Sequence, residues 1–91
     1  MNKERRKALA KISDLLDEVA ETLSGLKSSF DEVKEDEVST RENMPENLQD
    51  SERAQNMDEA ISALEEAEAA FEEIESAIET IKSQIDSACN Y

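Results

Sequence analysis

The chain has 91 residues, 24 of them acidic and 10 basic, for a formal net charge of −14, with no histidine or tryptophan and a single cysteine, Cys89. This is at most one small domain. A base working near neutral pH would have to be a strongly shifted carboxylate or lysine, which so short a chain cannot bury deeply, so the expectation is a protein that is not an enzyme.

The lone cysteine rules out a disulfide framework and a cysteine-based zinc site, and it fits a reducing cytoplasm. No apolar run reaches the 18 or so residues of a membrane span, and the basic start leads into an amphipathic stretch, which reads as a soluble cytoplasmic protein. That start, residues 1 to 11, carries Lys3, Arg5, Arg6, Lys7 and Lys11 against Glu4, a local excess of +4 that leaves −18 on the remainder. The cluster has two readings. It neutralises one end of the molecule or a neighbouring acidic subunit, or its side chains and the free N–H groups of a helix start hold an anion such as a nucleotide phosphate.

From Leu9 the large apolar residues follow a 3-4 spacing through Ile12, Leu16, Val19, Leu23, Leu26, Phe30 and Val33. This is a coiled-coil seam with Leu9, Leu16, Leu23 and Phe30 at a and the others at d. Gly25 lies inside the run as a local weak point or a close contact, without breaking the helix. Pro45 disfavours helix at Met44, so the first helix is predicted over 3–43 and a loop over 44–50, with Asn47 free to adopt a left-handed or turn conformation. Ser51 is a natural N-cap for a second helix, 51–88. Its seam places Met57, Leu64, Phe71, Ile78 and Ile85 at a, and Ala60, Ala67, Ile74, Ile81 and Ala88 at d.

If the chain folds back about residues 46 and 47, Leu9 faces Ile85, Leu16 faces Ile78, Leu23 faces Phe71 and Phe30 faces Leu64. The d residues then pair in the same core, Ile12 with Ile81, Val19 with Ile74, Leu26 with Ala67 and Val33 with Ala60. The predicted fold is therefore all-α, one antiparallel two-helix coiled-coil hairpin. Two stripes make a thin core. A column of small residues, Ala63, Ala70 and Ala77, lets further helices approach, so the hairpins are expected to assemble as a dimeric four-helix bundle or a higher homo-oligomer.

The second helix also displays Asp58, Glu65, Glu72, Glu79 and Asp86 at b and Glu59, Glu66 and Glu73 at c, which Glu68 and Glu75 at e extend into an anionic ridge. Asp58, Glu65, Glu66, Glu72, Glu73 and Glu79 are the candidate partner-binding residues; the plainer alternative is a solvated face that keeps the bundle soluble. Direct nucleic-acid binding is not expected of such a charge, and one carboxylate per heptad copies phosphate spacing poorly. No calcium-loop pattern and no Glu-x-x-His pattern is present, so neither a metal nor a cofactor is expected.

The loop Asn43-Met44-Pro45-Glu46-Asn47-Leu48-Gln49, followed by Ser51-Glu52-Arg53 and then Ala60-Ile61 and Leu64-Glu65-Glu66-Ala67, resembles a family of short helical proteins encoded by phages and prophages of Gram-positive bacteria. Their pattern is N-M-P-E-N/G-L/I-Q-x-S/G-E-R/K between two charged helices, with a start similar to Met1-Asn2-Lys3 and Arg5-Arg6-Lys7. This chain departs from it before Asn43, where Ser39-Thr40-Arg41-Glu42 stand in place of aromatic residues. The resemblance implies a phage accessory protein in the cytoplasm of an infected or lysogenic host, one that binds and blocks a host component in counter-defence. Two alternatives stand beside it: an oligomeric sponge for a nucleotide immune signal, and a structural or regulatory bundle without ligand. Arg41, Asn43, Glu46, Gln49 and Arg53 are the loop candidates for binding.

Overall fold

The asparagine two residues into the chain starts the first helix by accepting, at its side-chain oxygen, the otherwise free N–H of Arg5 at 2.8 Å. In the computed structural model, which describes residues 1–91, this helix, α1, spans Lys3–Glu42 and ends on Asn43. Ser51 caps the second helix, α2 (Glu52–Ala88), by accepting from the N–H of Ala54 at 3.2 Å. Both caps satisfy donors that the first helical turn leaves without a partner. The two helices pack antiparallel as an all-α hairpin, a rod of 69 × 16 × 13 Å.

Asn47 lies in the reversal in a turn conformation and not in the left-handed one. No residue adopts a positive φ. Pro45, held at φ −56°, instead leads into a short 3-10 turn over Glu46–Leu48, closed by the Leu48 N–H donating to the Pro45 carbonyl at 2.8 Å. Proline suits this place because it presets φ and has no N–H to leave unpaired.

The register of the hairpin is one heptad away from the expected pairing. Phe30 meets Phe71, not Leu64, with ring centroids 5.6 Å apart at an interplanar angle of 62°. Lys34 reaches Glu68, Lys27 reaches Glu72 and Glu75, and Lys82 reaches Asp17, all consistent with this offset. A heptad pattern repeats every seven residues, so sliding one helix by seven restores the same a-to-a match. The reversal between Glu42 and Glu52, which sets the midpoint of the paired positions near residues 50 and 51, selects among these equivalent registers.

The large d residues are not in the hairpin core, contrary to the expected second layer, whereas the small Ala67 and Ala88 are partly covered. Ile12, Val19, Leu26 and Val33 on α1, and Ile74 and Ile81 on α2, are 46 to 62% exposed. The seam is formed by the a and e columns: Leu16, Ala20, Leu23, Lys27, Phe30 and Lys34 are partly covered on α1, as are Leu64, Glu68, Phe71, Glu75 and Lys82 on α2. Only Ala54, Met57 and Ile78 are buried. Two helices have one line of contact. A seam centred between a and e, about 20° from a on the helical wheel, leaves d roughly 80° away on an open flank.

In an antiparallel pair the e columns meet along one edge, which leaves the d and g columns of both helices on the opposite edge. On α1 from Ala8 to Val33, and on α2 from Ala60 to Ala88, these two columns contain no charged residue, although 37% of the chain is charged. The rod thus has one ion-paired edge and one charge-free apolar face.

Candidate interaction surfaces

The loop candidates divide into two groups. Arg41 and Gln49 form an internal clamp: Arg41 Nε and Nη2 donate to the two carboxylate oxygens of Asp58 at 2.8 and 3.2 Å. Arg41 Nη1 donates to the Gln49 side-chain oxygen, and Nη2 to the Gln49 carbonyl at 3.2 Å. Gln49 Nε2 in turn donates to the Met44 carbonyl at 2.6 Å. One guanidinium thereby ties α1, the loop and α2 together, a planar fork satisfied on several sides. These two residues, predicted as binding candidates, are committed to holding the reversal.

Asn43, Glu46 and Arg53 are exposed. Asn43 uses its backbone N–H on the Ser39 and Arg41 carbonyls to end α1, and Glu46 starts the 3-10 turn. Arg53 is not joined to the Arg41 clamp. It lies on the rim of an open groove of about 640 Å³ at the loop end, with Asn43 also on the rim and Met44, Pro45, Leu48 and Met57 as the apolar lining. Sequence reading missed this groove because Met44 and Met57 meet only after the chain reverses.

The anionic ridge on α2 is narrower than expected. Glu68 and Glu75, placed on it by the sequence, turn into the seam edge: Glu68 pairs with Lys34 at 3.0 Å and Glu75 with Lys27 at 3.5 Å. Asp58 is held by Arg41, and Glu72 lies 3.4 Å from Lys27. Glu65, Glu66, Glu73 and Glu79 remain exposed without an ion pair.

The paired lysines respond to these partners. Lys34 is raised above the ordinary lysine value of 10.5 chiefly by its hydrogen bond to Glu68, partly offset by burial. Lys82 is raised in the same way by Asp17. For Lys27, burial pushes the ammonium down, and the contacts and charges of Glu72 and Glu75 together outweigh it.

At the open end of the rod, Arg6 donates to the main-chain oxygen of Tyr91, which also accepts from the Met1 nitrogen at 2.8 Å. Lys3, Arg5 and Lys7 are exposed, and none of them has an ion-pair partner. The structure therefore does not gather the basic tip into a common pocket with the loop, since the two lie at opposite ends of the rod.

No group of three His, Cys, Asp or Glu side chains is placed to hold a metal ion, and no helix is long and apolar enough to cross a membrane. Compared with protein-family models, curated proteins and solved structures, the chain matches none.

Proposed function

We propose that the chain is a non-enzymatic accessory protein of the phage type, which binds and blocks a basic surface of a host protein in the bacterial cytoplasm, as a counter-defence factor. The observation that carries the binding mode is the set Glu65, Glu66, Glu73 and Glu79, exposed on one helix and left unpaired while neighbouring carboxylates on the same helix are used in the seam. Fixed on a rigid helix, these charges steer a cationic partner and contribute specificity without the cost of ordering a loop. The phage setting rests on the resemblance of the loop. The working unit is an oligomer of hairpins.

The test is affinity capture from host lysate at moderate salt, with wild-type protein beside a variant carrying Glu65→Lys, Glu66→Lys, Glu73→Lys and Glu79→Lys. The expected result is a host protein retained by the wild type, released by added salt and lost with the variant, whose circular dichroism stays helical. Equal retention by both proteins would remove the acidic face from the reading.

The groove beside Arg53 favours a second reading, a sponge for a nucleotide signal whose base would enter the apolar groove and whose phosphate would meet the guanidinium. A panel of cyclic nucleotides should then raise the melting temperature of the wild type and not of Arg53→Ala. No shift with any of them would dismiss it.

A further inference from the structure

The charge-free face is wider than a two-helix rod can use for itself. It runs on α1 from Ala8 to Val33 and on α2 from Ala60 to Ala88, with Ile12, Val19, Leu26 and Val33 about half exposed or more. At 1.5 Å per residue the face is about 40 Å long, and across the 16 Å width of the rod its flat area is on the order of 650 Å² before side-chain relief. A standard specific interface buries roughly 800 Å² on each partner. A patch of this size on a chain with three buried residues is matched to a rod of the same length and pattern.

We propose that this face is covered by a second copy of the chain, with the two hairpins antiparallel and their loops at opposite ends of a four-helix bundle. This deepens the oligomer included in the functional reading by assigning its face and its direction. Charge fixes the direction. The open end carries the +4 of residues 1 to 11, whereas residues 31 to 52 at the loop end hold nine acids and two bases. Parallel hairpins would stack like upon like at both ends, and antiparallel hairpins set each basic end beside the other copy's acidic loop end. In that arrangement α1 lies against α1 through its larger aliphatic residues. The two α2 helices meet through Ile74 and Ile81, with the smaller Ala60, Ala63, Ala67, Ala70 and Ala77 around them leaving room for these side chains.

The test combines mass with direction. Sedimentation equilibrium of the wild-type chain at about 100 µM should give twice the chain mass; a monomer or any larger assembly would overturn the proposal. Direction is read by spin-label distances in a Cys89→Ser background, with labels at Lys7→Cys or Glu21→Cys, both in the f column outside the face. Antiparallel packing about the middle of the face separates the residue 7 labels by more than about 40 Å and keeps the residue 21 labels within about 30 Å. Equal distances at the two positions would mean parallel hairpins and overturn the assignment. A monomer that still captures a host protein leaves the acidic-face reading standing, and a dimer that captures nothing leaves this one standing.

Discussion

At Arg41 a single side chain does what the loop sequence cannot do by itself. Its guanidinium bonds to Asp58 on α2 and to Gln49 in the loop, and the Arg41 side chain is only 19% exposed. Charge-assisted hydrogen bonds of this kind contribute more than neutral ones. Arg41→Ala should therefore lower unfolding stability by about 2 kcal/mol in urea titrations. Arg41→Lys should recover less than half of that loss, because an ammonium cannot span both carboxylate oxygens and the glutamine together. Gly25 gives the opposite case. Nothing lies within 4 Å of where a Cβ would sit, so the close contact weighed from the sequence is absent. Gly25→Ala should stabilise the protein by about 1 kcal/mol and raise its melting temperature by roughly 5 °C.

Between the helices, the ion-paired edge and the aromatic contact fix how α1 lies on α2. A double-mutant cycle on Phe30→Leu and Phe71→Leu should show a coupling of about 1 kcal/mol. Phe30→Leu and Leu64→Ala, a heptad apart along the seam, should add independently. Coupling in the second cycle and none in the first would restore the other register. The same edge adds a pH-dependent contribution to stability at the alkaline end. Lys27, Lys34 and Lys82 hold their protons more tightly in the folded chain than the ordinary value of 10.5 implies. Their contribution is complete below that value and is lost as pH rises through the raised folded values. Thermal melts should fall modestly above about pH 10.5, and less for a Lys34→Met variant, which has already given up its pairing with Glu68.

The whole molecule is a rod whose charges are sorted lengthwise and around its axis. Side-by-side antiparallel dimerisation keeps the length near the 69 Å of one hairpin while doubling the mass of the cross-section. Small-angle scattering should therefore give a maximum dimension that scarcely exceeds that length, with a thicker cross-section. End-to-end association through the basic tips would nearly double the length instead. In the proposed antiparallel dimer the lengthwise sorting would set the positive end of each rod beside the acidic loop end of the other, so that the −14 would not act as a uniform repulsion.

Two helices, the cap of the second and the interruption between them were legible in the residues. Heptad spacing, Ser51 and Pro45 act over a turn or two of chain, so the sequence by itself determined an all-α hairpin with helix ends within one residue of those observed; the Asn2 cap of α1 was seen only in the structure. The loop candidates were found, but not their roles, because a binding arginine and a clamping arginine look alike until Asp58 is seen opposite. Only the tertiary structure decided the register, since a seven-residue repeat matches itself after every heptad and the geometry of the reversal must choose. It also decided which stripe the hairpin covers. Two helices bury one line of contact each, and this pair spends it on a and e. The d residues that the sequence marks as core are left on the open face.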